Sequence, residues 1–172
     1  VQTCALPISR GILGRLLKPP PEAVTPLPPE LKPELSTRER VVLQTAPAAC
    51  ASCHSLINPL GFALENFDAI GRFRAEDRGR PVNTEGAYTT RDGHGIHFEG
   101  SQELAAYLVT SPETAAAFTQ QLFQHLTQQS ADAWGVGTLD RLVEEFGASE
   151  WNIRRLVIRI AEFASQRPVL GE

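Results

Sequence analysis

Apolar residues recur at helical intervals along most of this chain, and the residues that interrupt them mark where one element gives way to the next. Ser36-Thr37-Arg38-Glu39 has the form of a capping box, which predicts a helix running on through Val41, Val42 and Leu43, with Pro47 breaking or restarting it. Asn58-Pro59 supplies an N-cap and a first-turn proline. Leu60, Leu64, Phe67 and Ile70 then return near the helical period, which predicts a second helix with one apolar stripe. From Phe73 to Gly100 the pattern shortens into pieces broken at Asp77-Arg78-Gly79, Glu85-Gly86, Asp92-Gly93 and Glu99-Gly100, the signature of one or two small hairpins. Helical spacing resumes over Ser101 to Val109. Ser111-Pro112-Glu113 then opens a segment in which Phe118, Leu122, His125 and Leu126 share a face. After Gly135 and Gly137, a helix is marked by Leu139, Leu142, Val143 and Phe146. Ser149 through Phe163, with Trp151, Ile153, Leu156, Val157 and Ile160, forms the last one. The fold class is mainly α, with a short β-hairpin and loop section followed by a C-terminal helical domain.

The N-terminal fifth reads differently. Seven of the 13 prolines lie between Pro19 and Pro33, which excludes a regular helix there and predicts an extended spacer. Residues 9–35 are therefore read as a proline-rich linker preceded by the end of a missing domain, to which Gly11 to Leu17 would belong. Residues 1–8, Val1-Gln2-Thr3-Cys4-Ala5-Leu6-Pro7-Ile8, resemble the conceptual translation of a sequencing-adapter oligonucleotide and are set aside, Cys4 with them. The 172 residues contain no methionine, even at position 1, so the sequence reads as a fragment. A net charge of -4 without a Lys/Arg-rich stretch disfavours nucleic acid, and no apolar run is long enough for a membrane span.

The chemistry concentrates at Cys50-Ala51-Ser52-Cys53-His54, which has the form of the c-type haem attachment site. Read as helix, Cys50, Cys53 and His54 fall at i, i+3 and i+4 on one face. Each thiol can add across a vinyl group of one porphyrin, while the imidazole reaches its iron from the same side as proximal ligand. A structural zinc site would need four ligands, and the chain has no second cysteine pair. A thioredoxin-like dithiol would sit near a βαβ pattern that the flanks do not show. The motif thus implies covalently bound haem c, and with it export to an extracytoplasmic compartment, periplasmic or at the cell surface.

From the motif onward, Ile57-Asn58-Pro59-Leu60-Gly61-Phe62-Ala63-Leu64-Glu65-Asn66-Phe67-Asp68-Ala69-Ile70-Gly71-Arg72 resembles the C-terminal part of the large planctomycete-type cytochrome c-like multidomain proteins. Thr37-Arg38-Glu39-Arg40 upstream and Asp92-Gly93, Phe98 and Gly100 downstream extend the likeness. It implies a c-type haem-binding module over residues 36–100, a helical domain over 101–172, and no established substrate. Where the family carries a Tyr-Ala-Leu-Gly-Arg-like segment, this chain has His125-Leu126-Thr127-Gln128-Gln129, and His125 is read as a packed core histidine.

Without methionine, a His/Met iron pair cannot form within this chain, so the sixth position falls to histidine, another donor, water or a ligand from elsewhere. His97 is the distal candidate because Phe98 beside it offers an apolar anchor; His94 is read as an exposed loop residue. The second nitrogen of His54 needs an acceptor, expected from a backbone carbonyl near Asn58-Pro59. Arg72 and Arg74 are candidates to pair with haem propionates. The leading function is an electron-transfer module of a larger exported protein, partnered by a redox protein or by preceding domains of the same chain. The alternatives are a haem-dependent, peroxidase-like oxidoreductase and a structural interaction module of an extracellular degradative complex. No Ser/His/Asp, paired-carboxylate or phosphate-loop constellation stands out to assign catalytic residues.

Overall fold

The reciprocal bonds of the capping box are present: Ser36 Oγ accepts from the Glu39 N–H (3.2 Å), and the Glu39 carboxylate accepts from the Ser36 N–H (2.7 Å). They open helix α1, Thr37–Gln44. This computed structural model describes residues 5–17 and 34–166; the proposed spacer from Pro19 to Pro33 and Cys4 lie outside the described residues. Among the described residues the fold is mainly helical with two small antiparallel strand pairs, and the chain divides into two compact units: Val1–Gly11 with Arg15–Val109, and Ile12–Gly14 with Thr110–Glu172.

In the first unit Pro47 restarts the chain as helix α2, Ala48–Phe62, its carbonyl accepting from the Cys50 and Ala51 N–H groups. α2 runs without a break through Asn58-Pro59, so the expectation of a new helix starting there is corrected. Pro59 is accommodated because the carbonyl it deprives of a partner is that of Ser55, an exposed residue that water can satisfy. Asn58, buried, does not cap; its side chain bonds sideways. The stripe continuing through Leu64, Phe67 and Ile70 is not helical either. Leu64, Glu65 and Phe67 each donate to the carbonyl three residues back, and Asp68 Oδ1 closes a turn on the Ile70 and Arg72 N–H groups. Successive three-residue turns mimic the helical period.

Strands β1, Glu76–Asp77, and β2, Arg80–Pro81, are joined by Arg78-Gly79, both with positive φ, as a tight two-residue hairpin demands. The longer hairpin pairs β3, Glu85–Thr89, with β4, Gly95–Glu99, setting Gly86 against Phe98 and Ala87 against His97. Its buried face carries Gly86, Tyr88 and Phe98. A Cβ at Gly86 would lie 2.8 Å from both the Ala63 Cβ and the Pro59 carbonyl oxygen, so glycine is what lets β3 press onto α2. Helix α3, Gly100–Thr110, closes over the hairpin: the Tyr107 ring lies 5.9 Å from Tyr88 and 6.1 Å from Phe98.

The second unit is built from α4 (Pro112–Thr127), a 3-10 turn (Ala131–Trp134), α5 (Thr138–Ala148) and α6 (Ile153–Ser165). Its core is Phe123, Ala131, Leu142, Phe146, Leu156 and Ile160. Two readings of the apolar pattern are corrected here. On α4 the buried residues are Ala117, Thr119 and Phe123, while Phe118, His125 and Leu126 are exposed, so His125 is not a core histidine. The last helix begins at Ile153, because Glu150 and Trp151 take positive φ and the Asn152 side chain caps it through the Arg155 N–H. Trp151 remains outside the helix with its ring edge against Phe146.

Candidate functional site

Cys50, Cys53 and His54 all fall in the first two turns of α2, within a sector of about 100° around its axis, and all three are half-buried. Both thiols are free. Ser52, between them, points outward and returns its hydroxyl proton to the Ala49 carbonyl (3.2 Å). The motif therefore presents two thiols outside any disulfide and one imidazole on one helical surface, with the Ser52 hydroxyl 3.9 Å from the Cys53 sulfur.

The partner of His54 is not the backbone carbonyl expected from the sequence. Instead, one turn on from His54, the side chain of Asn58 reaches back. His54 Nδ1 lies 2.9 Å from Asn58 Oδ1. Asn58 Nδ2 donates in turn to Thr45 Oγ1 (2.8 Å), and Thr45 Oγ1 donates to the Val41 carbonyl (2.7 Å). Thr45 and Asn58 are both buried. The sequence offers a signal for this contact, a polar residue at i+4 from His54, but Asn-Pro also has the form of a helix start, which masks it.

His97 is on the other side of the helix. The hairpin that carries it packs through Gly86 onto Pro59 and Ala63. These residues are about 140° and about 180° around α2 from His54. His97 is exposed and lines a cavity of about 580 Å³ with Arg38, Pro59, Phe62 and Glu103, in whose wall Cys50, Cys53 and His54 take no part. The anchor expected beside it is real, since Phe98 is buried. His94, at the hairpin tip, is exposed and its Nδ1 meets Asp92 Oδ2 at 2.8 Å. Among the described residues no group of three His, Cys, Asp or Glu side chains is arranged to hold a metal ion.

The arginines read as propionate partners are already engaged. Arg74 donates to the Glu65 carboxylate (2.6 Å) and carbonyl (2.8 Å) and faces Asp77 at 3.4 Å, so it is the counter-ion of a carboxylate only 1% exposed. Burial pushes the Glu65 carboxyl up and the Arg74 charge opposes that shift. Arg72, exposed, pairs with Asp68 at 2.8 Å.

Residues 4–77 match the family model PSCyt3, described as a protein of unknown function (DUF1588). The stretch takes in α1, all of α2 with Cys50, Cys53 and His54, and the turns that follow, and it begins within the segment 1–8 set aside above. Over that stretch the chain is similar to a planctomycete cytochrome-like domain of unknown function. No curated protein and no solved structure matches the chain.

Proposed function

We propose that this chain carries covalently attached haem c at Cys50 and Cys53, with His54 as the proximal iron ligand, and serves as an electron-transfer module of an exported protein. The observation that carries the reading is the pairing of two free thiols with an imidazole whose Nδ1 is already hydrogen-bonded, all on one half-buried face of α2. The donor set suits the group. Cys50 and Cys53 each add S–H across a vinyl group, forming a sulfur–carbon bond and placing the hydrogen on the neighbouring carbon, so no leaving group is needed. His54 offers Nε2 to the metal, and the haem iron supplies one-electron redox chemistry when bound.

His97 is the candidate for the sixth position that the sequence supplies. Its place on the hairpin behind α2 favours a second reading, in which the sixth position takes water or a small exogenous molecule, as in a peroxidase-like centre. Partners in the leading reading are a redox protein or preceding domains, and the compartment is extracytoplasmic. Among the described residues no helix is long and apolar enough to cross a membrane.

Production with a periplasmic c-type maturation system, followed by a pyridine haemochrome spectrum, tests the proposal. We expect a thioether-type spectrum from the wild type and its loss in the Cys50→Ala/Cys53→Ala double variant. A colourless wild type, made where a control cytochrome c matures normally, overturns it. A low-spin spectrum that His97→Ala abolishes supports a His54/His97 pair; a spectrum unchanged by His97→Ala, with cyanide binding readily, supports the open sixth position.

A further inference from the structure

We infer that Thr45 and Asn58 form a one-way hydrogen-bond chain that fixes His54 as the Nδ1–H tautomer, keeping Nε2 unprotonated before any metal arrives; this rests on the reading of His54 as an iron ligand only for its purpose, not for its geometry. The direction follows from proton counting. The Val41 carbonyl can only accept, so the 2.7 Å contact commits the single hydroxyl proton of Thr45 to it. That carbonyl also accepts the Thr45 backbone N–H (3.0 Å), which holds the hydroxyl in place at the end of α1. Thr45 Oγ1 can then only accept at 2.8 Å from Asn58, so Asn58 must present its NH₂ there. The flipped amide would set two oxygens against each other with no proton between them in a buried site, leaving both without a donor. With its NH₂ on Thr45, Asn58 turns Oδ1 to His54, and at 2.9 Å Nδ1 must donate.

The local fold makes this chain possible. His54 and Asn58 are one turn apart on α2, and the restart at Pro47 brings the end of α1 alongside, so that Thr45 reaches Asn58 across 13 residues of sequence. Asn58 is a positioning residue: it acts on the metal through His54, by orienting the ring and by the strength with which a neutral amide oxygen draws on the Nδ1 proton.

The test begins on the full chain without haem, where the tautomer is read directly from long-range ¹H–¹⁵N correlations of the imidazole at a pH where the ring is neutral. Wild type is expected to show His54 as Nδ1–H. Asn58→Leu and Thr45→Val should shift it toward the Nε2–H form or a mixture, and Thr45→Ser should restore it. The backbone amide spectrum reports whether each variant keeps the fold, and Thr45→Ser/Thr45→Val remains a valid comparison if Asn58→Leu does not. A wild-type Nε2–H tautomer, or a tautomer indifferent to both Asn58→Leu and Thr45→Val, overturns the inference. In matured protein with covalent haem, Asn58→Asp should lower the reduction potential and Asn58→Leu raise it at equal haem content, and Asn58→Leu should ease displacement of His54 by external imidazole about 10–100-fold. Equal potentials in all three proteins overturn the positioning role. A wild type that takes up no haem defeats the haem proposal, while the haem-free tautomer measurement still decides this one.

Discussion

Glu39 and Glu65 are carboxylates of the same unit whose environments push them in opposite directions. Glu39 is held down to about 2, first by its hydrogen bond from Arg80 and then by its bonds with Ser36. A carboxyl depressed in the folded state contributes stability that is present above its ordinary 4.5 and lost as pH falls toward about 2. Thermal melts should therefore show wild type losing ground to Glu39→Gln as pH is lowered through that window; parallel curves would contradict the assignment. Glu65 has the opposite sign: raised by burial, its carboxyl favours the folded state fully below 4.5, and that contribution fades as pH rises through its raised value. Removing its counter-ion with Arg74→Ala should cost about 3 kcal/mol near neutral pH. The loss should shrink on acidification as Glu65 takes up a proton, and urea titrations at neutral and at acidic pH measure both. The Ser36–Glu39 contact is legible in the sequence because a capping box is local, whereas the bond from Arg80, 41 residues on, is not. Nor does the sequence show the Glu65–Arg74 pair, since Arg74 reads equally well as an exposed arginine free for an external anion until the fold buries its partner.

Among the elements, α1 and the two hairpins were legible because each is set by neighbours in sequence: Ser36 with Glu39, Arg78 with Gly79, alternation along β3 and β4. The extent of α2 was not. Asn58-Pro59 has the form of a helix start, and only the chain that comes before it, already helical from Ala48, turns the same two residues into a helix interior. The run Leu60 to Ile70 has a helix-like pattern for a related reason, since three-residue turns space apolar side chains almost as a helix does. The packing of β3 onto α2 depends on a single missing methyl group. Gly86→Ala puts a Cβ within 2.8 Å of a backbone carbonyl that cannot rotate away, and should destabilise the protein by about 1–3 kcal/mol in chemical denaturation. A neutral outcome would mean that the hairpin and α2 are not in the contact described.

For the molecule as a whole, the mainly helical fold with a short hairpin section was readable from periodicity, whereas the core of the second unit was not readable residue by residue. Phe118 and Phe123 both sit on plausible stripes of α4; Phe118 stacks on Phe146 of α5 but stays exposed, whereas Phe123 is fully buried beside Trp134. Phe123→Ala should cost about 3–5 kcal/mol and Phe118→Ala much less, a ranking that calorimetry of the two variants can reverse. Cys50, Cys53 and His54 stand out in the sequence by their spacing, and in the fold they share one surface of α2; the Asn58–Thr45 contact beside them was hidden, because it needs two helices brought together. Whether Cys50 and Cys53 bind haem through carbon–sulfur bonds decides the proposed function. Intact-protein mass spectrometry after maturation and full denaturation is the most direct measurement. A wild-type mass raised by one haem that survives denaturation is expected, with no such gain in Cys50→Ala/Cys53→Ala. A wild type at its bare polypeptide mass, from cells that mature a control cytochrome c, would contradict it.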